Sequence, residues 1–137
     1  MFIRCSVFDV CRSVEVFDPE KGQWETERPL NEPRSFMGSC VGLGKIWAGG
    51  GQNSHGPLTS VEAFDPSTRR WTTVGHMQTA RKAFGMAEAY GRLYFIGGKG
   101  NTALSFADSV ETWEPRTGAW SVACNAQARV FFGLAVA

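Results

Sequence analysis

Two kinds of charged side chain recur in this chain at fixed intervals. Glu15, Glu62 and Glu111 stand in the phrases "SVEVFDPEKGQW", "SVEAFDPSTRRW" and "SVETWEPRTGAW", which begin at Ser13, Ser60 and Ser109, 47 and 49 residues apart. Arg34, Arg81 and Arg129 follow Trp24, Trp71 and Trp120 by ten, ten and nine residues, each four residues ahead of a glycine. A guanidinium and a carboxylate at recurring places suit charge-assisted hydrogen bonding, to each other or to a ligand. They do not suit acid–base catalysis, because the glutamates come one per repeat and never as a close pair. No H-x-H, activated serine or cysteine motif, or phosphate loop is present. Cys5, Cys11, Cys40 and Cys124 lack C-x-x-C pairing, and His55 and His76 do not cluster with them. No metal and no cofactor is expected. Free, mostly buried thiols in a reducing, cytoplasmic setting are the expectation; redox sensing by Cys5 or Cys11, near Arg4 and Arg12, is the alternative.

The elements that would carry these residues follow from the repeat itself. Each unit reads as four short strands: a small apolar one ("AFGMAEA"), an alternating one ("RLYFI"), the SVE phrase, and one around the tryptophan ("RRWTTV"). Glycine pairs close the second strand at Gly50-Gly51 and Gly97-Gly98, where positive φ or close backbone approach is expected. Pro19, Pro66 and Pro115 fix φ in the turn after the third strand. No window shows sustained helical periodicity, so helix should be nearly absent. Composition agrees: 137 residues carry 16 glycines, ten Phe, five Trp and two Tyr, which suits an all-β protein of short strands.

The bulk numbers exclude several partners. The net charge is +1 and the 14 basic residues are scattered, so nucleic acid is not an expected ligand. No apolar run approaches the roughly 20 residues of a membrane helix. The opening "MFIRCSVFDVC" carries an arginine and an aspartate, which spoils it as a signal peptide.

The glycine pair, the aromatic-Asp-Pro turn and the tryptophan, recurring in register, closely resemble the kelch motif of β-propellers, whose period is about 50 residues. The resemblance covers about residues 13–137 and rests on Gly50, Gly51, Gly97, Gly98, on Phe17, Phe64 and Trp113, and on Trp24, Trp71 and Trp120. It departs at Glu114, which replaces the turn aspartate, and at Arg4-Cys5, which stand where the first glycine pair should be. The resemblance implies four-stranded antiparallel blades, about three per chain. Residues 1–34 would be a partial blade of third and fourth strands with a remnant second strand at Phe2-Ile3. Residues 35–74 and 82–122 would be complete blades, and 130–137 a lone first strand.

Propellers usually close with four to eight blades, so about three must be completed. The missing blades would lie in a longer chain, or a second copy would exchange Val130–Ala137 head to tail and close a six-bladed homodimer. Comparison between repeats then separates two roles. Positions shared by every unit serve the blade: Glu15, Glu62, Glu111, the glycine pairs and the tryptophans. Arg34, Arg81 and Arg129 fit a blade-internal contact with these glutamates. Kelch-like propellers also imply that the loops around these arginines open at one mouth, where partner peptides bind. On that reading Arg34, Ser35, Phe36, Gln52, Asn53, His55, Arg81, Lys82, Lys99, Asn101 and Arg129 would contact a protein or peptide. The resemblance further implies a substrate adaptor of a ubiquitin ligase, within a longer parent. Its rivals are an actin-type scaffold binding through blade edges and a copper-oxidase-like enzyme, for which two His and two Tyr are poor ligand material.

Overall fold

The structure, a computed structural model, describes residues 3–4, 10–101 and 107–125, with side chains for all but residues 3, 4 and 125. Cys5, Arg129 and the strand expected at Val130–Ala137 lie outside the described residues. The described residues are all-β, as the repeat reading required.

Three sheets carry the architecture. The first joins β1 (Ile3–Arg4), β2 (Val14–Asp18) and β3 (Gln23–Glu27) in that order. The second joins β4 (Gly38–Gly42), β5 (Lys45–Gly49), β8 (Ser60–Asp65) and β9 (Arg70–His76). A small hairpin, β6 (Gln52–Asn53) with β7 (Gly56–Pro57), rises between β5 and β8. The third sheet joins β10 (Gly85–Ala89), β11 (Arg92–Ile96), β12 (Ser109–Glu114) and β13 (Ala119–Asn125). All pairings are antiparallel, and all but that of β5 with β8, which the small hairpin separates in the chain, join sequence neighbours.

The turns follow local chemistry. The Asp65 carboxylate accepts the Ser67 N–H at 2.9 Å, and Asp18 does the same for Glu20 at 2.9 Å, so aspartate closes the turn around the proline. Glu114, one methylene longer, leaves that task to its own carbonyl, which accepts Gly118 N–H at 2.8 Å. Its carboxylate turns instead to Arg92 at 3.4 Å. The substitution is thus absorbed by the backbone.

Apolar side chains of adjacent sheets meet in two seams. Val14, Leu30, Ile46, Ala48, Phe64 and Trp71 form one; Trp47, Val61, Ala63, Phe84, Met86, Phe95 and Trp113 form most of the other. The alternation of a strand explains this: neighbours such as Ile46 and Trp47 leave opposite faces, so the second sheet feeds both seams. The tryptophans hold equivalent places, each opposite an aromatic on the preceding strand. Trp24 lies 5.4 Å from Phe17, Trp71 lies 5.2 Å from Phe64, and Trp120 lies 5.9 Å from Trp113. Their surroundings differ only in what lies beyond. Trp71 is 8% exposed and donates its Nε1–H to Arg28 O at 2.9 Å, in the link from the first sheet, whereas Trp24 is 45% exposed.

Removal of a buried indole should reflect that difference. Trp71→Ala is expected to cost about 3–5 kcal/mol in chemical denaturation, and Trp24→Ala well under about 2 kcal/mol. Equal losses would show that Trp24 is packed as closely as Trp71, against the difference in their exposure.

Candidate functional site

Each complete sheet is locked to the link that leads into it by one buried carboxylate. Glu62 accepts the N–H groups of Asn31 at 2.7 Å and Glu32 at 3.1 Å, and Arg34 Nη2 at 2.7 Å. Glu111 accepts Gln78 N–H at 2.7 Å, Thr79 N–H at 3.0 Å and Arg81 Nη2 at 2.6 Å. Glu62 and both arginines are wholly buried, and Glu111 is 1% exposed. Both glutamates sit where the pairing of third and fourth strands slips by one residue, at Val61/Glu62 and at Val110/Glu111. The extra residue, Val74 or Ala123, lies on the fourth strand opposite the glutamate, and such a bulge bends that strand and increases the local twist.

The arginines complete the lock. Arg34 Nη1 donates to Gly50 O at 2.7 Å and Ser60 O at 3.1 Å, while Nη2 also reaches Ser60 Oγ at 2.9 Å. Arg81 repeats this on Gly97 O, Ser109 O and Ser109 Oγ, each at 3.0 Å. Burial holds the Arg81 guanidinium below the usual arginine value, against the bond to Glu111, which acts to raise it. Arginine remains charged under these conditions. The proposed contact of Arg34 and Arg81 with a ligand is therefore corrected: both side chains are wholly buried, and their terminal nitrogens are bonded inside the blade. Glu15 is half-buried.

Above the lock, the glycine pair allows backbone to touch backbone. At Gly51 φ is +84°, and a Cβ there would lie 2.4 Å from Ser35 O; at Gly98 φ is +99° and the clash is with Lys82 O at 2.7 Å. This closeness supports two bridges, Ser35 with Gln52 and Lys82 with Lys99. The sheets are stitched together at the same level: Gly51 N–H donates to Arg81 O at 2.9 Å, and Ala83 N–H donates to Phe36 O at 2.9 Å. Phe36 and Ala83 occupy matching places with φ of 52° and 53°, a left-handed backbone that ordinary residues seldom take.

The structure thus brings Ser35, Phe36, Gln52, Lys82 and Lys99 to one end of the second and third sheets. Lys82 Nζ donates to Gln52 Oε1 at 2.5 Å, linking the loops of two sheets. Ser35 is corrected as a contact residue, since it is 3% exposed with its hydroxyl on Gln52 O. Asn53 turns its amide to Glu32, and its Oδ1 accepts the N–H of His55 at the exposed hairpin tip. Asn101 is exposed at the edge of the described residues. Glu32, which also takes the hydroxyl of Ser60, was not foreseen; it is not a repeat position, as Thr79 stands at the matching place.

Among the described residues, no group of three or more His, Cys, Asp or Glu could hold a metal ion. Of the thiols, Cys124 is exposed and Cys11 and Cys40 are half-buried. Burial, with the charge of Glu88 adding, pushes the Cys40 thiol from 9.0 up to about 12.

Residues 33–78 match the family model of the Kelch motif. That span runs from the link ahead of Arg34 through the whole second sheet to the N–H that begins the next lock. No curated protein matches the chain.

Two outcomes follow. Glu62→Ala and Arg34→Ala should each destabilise by about 3–5 kcal/mol, because each strands the other's buried charge. Their double variant should lose clearly less than the sum; additive losses in urea titrations would dissolve the pair. Separately, stability should fall as pH rises from 9 toward 12. The unfolded Cys40 thiol ionises near 9.0 while the folded one keeps its proton to about 12, so ionisation favours unfolding in that window. Cys40→Ala should flatten that slope.

Proposed function

We propose, since residues 33–78 carry a Kelch motif, that the chain holds a partner protein at the end of the sheets where Phe36, Gln52, Lys82 and Lys99 converge. Kelch repeats are in general non-enzymatic modules for protein–protein interaction, so the question is where the partner sits and what it offers. The observation that carries the reading is the Lys82–Gln52 bond, which joins loops of two sheets at a place where the repeats differ in sequence. Blade architecture needs no lysine there, since the matching residue of the other repeat is Ser35. Lys82 and Lys99 offer cationic donors, and Gln52 both donates and accepts. Such a set reads carboxylates and backbone carbonyls of an extended acidic segment. The adaptor role in a ubiquitin ligase and a cytoplasmic location are the family-level extension of this proposal, for a longer parent chain. Binding to an actin-type filament through blade edges is the rival.

A second copy of the chain is a further partner, favoured by Trp24. Its place matches that of Trp71, whose indole packs into a seam, yet Trp24 stands 45% exposed. On this reading Val130–Ala137 of one copy, with Arg129 ahead of it, would complete the first sheet of another, and two chains would close a six-bladed ring. A sedimentation mass of one chain at micromolar concentration rules that arrangement out.

The mouth is tested with Lys82→Ala/Lys99→Ala, which spares the buried arginines. The double variant should melt like the parent and lose partner capture about tenfold or more. Undiminished capture would move the partner to the blade edges.

A further inference from the structure

The link between the first and second sheets borders a cleft of about 310 Å³, lined by Arg12, Arg28, Pro29, Asn31, Arg70 and Trp71. Three of its six lining residues are arginines, and none is an acid. The nearby carboxylates are taken: Glu27 pairs with Arg69 at 3.0 Å and Glu62 with Arg34 at 2.7 Å. Arg12 uses its Nε–H on Leu30 O at 2.7 Å, which holds the side chain at the wall of the cleft. Arg28 and Arg70 take part in none of the salt bridges among the described residues. Three like charges around one small space repel, and folding gains nothing visible from gathering them.

The repeat supplies an internal control. The seam between the second and third sheets is built the same way: Met77 N–H donates to Thr59 O as Leu30 N–H donates to Arg12 O. At the matching positions that seam carries Thr59 for Arg12, Gly75 for Arg28 and Ala119 for Arg70, with Trp120 for Trp71. A seam therefore forms without any of the three arginines. Only the tryptophan belongs to the blade; the cations are particular to this cleft.

We infer that this cleft is a binding site for a phosphorylated side chain of a partner protein. A phosphate monoester carries close to two negative charges and three acceptor oxygens, which suits several guanidinium forks better than one carboxylate would. The volume accommodates a phosphoryl group with an adjoining side chain, and Trp71 and Pro29 supply the apolar wall for the latter. Three exposed arginines around one small open cleft, on a chain of net charge +1, do not form the extended track that a nucleic-acid backbone needs. The site is separate from Lys82 and Lys99 and stands or falls without them.

The test titrates the full chain with an acetylated, amidated Ala-Ala-phosphoserine-Ala-Ala peptide, its unphosphorylated form, and inorganic phosphate, at fixed salt. Calorimetry reads affinity, and the arginine Nε–H resonances report which side chains respond. Phosphopeptide binding should fall about tenfold or more in Arg28→Gln and in Arg70→Gln, and stay unchanged in Arg116→Gln and in Lys82→Ala/Lys99→Ala. Both cleft variants should melt like the parent, since both side chains are exposed and neither forms a salt bridge among the described residues. Binding that ignores Arg28→Gln and Arg70→Gln, equal binding of the unphosphorylated peptide, a response to inorganic phosphate alone, or no binding at all overturns the assignment. Tighter capture of a single-stranded oligonucleotide or of phosphatidylserine vesicles through the same arginines overturns it in favour of that ligand.

Discussion

A carboxylate buried at a strand bulge, holding two backbone N–H groups and one guanidinium, is the constraint on which the other features rest. Without Glu62 the link at Asn31 and Glu32 loses its acceptor, and Arg34 is left as a buried charge. Without Arg34 the carbonyls of Gly50 and Ser60 lose their donor. The lock therefore ties a sheet's second and third strands to the segment that enters its first. Ionic pairs of this kind contribute little net stability against an apolar substitute, but they fix one arrangement against its neighbours.

That fixity is what lets the ends of the sheets vary. The glycine pair above each lock brings the loop backbones close, and the cross-sheet bonds from Gly51 to Arg81 and from Ala83 to Phe36 hold adjacent loops at one level. The left-handed backbone at Phe36 and Ala83 costs of order 1 kcal/mol per residue and is sustained by this network. Side chains displayed there are free to differ between repeats, as Ser35 and Lys82 do. The arginine cleft obeys the same rule on the flank of the seam: conserved geometry, with Arg12, Arg28 and Arg70 added to one copy of it.

Much of this was legible in the residues. The spacing of the SVE phrases, the glycine pairs and the tryptophans places the strands, and alternation assigns their faces. The pairing of recurring glutamate with recurring arginine was readable as one of two roles. Which role applies was not, because burial is a property of neighbours far apart in the chain: Arg34 lies 28 residues from Glu62. The bulge opposite Glu62 was equally hidden, since Val74 looks like any strand residue until its partner strand is in place.

Self-similarity within the sequence determined the repeating sheet and its turns, since φ preferences, alternation and hydrogen-bonding capacity act over a few residues. Tertiary structure alone decided which charges are consumed and which are left over. Arg34 and Arg81 could be read either as blade contacts or as ligand contacts and are internal, while Arg12, Arg28 and Arg70, at separations of 16 and 42 residues, share one cleft. Electrostatic partnership depends on distance in space and on exclusion of water, and neither is written along the chain.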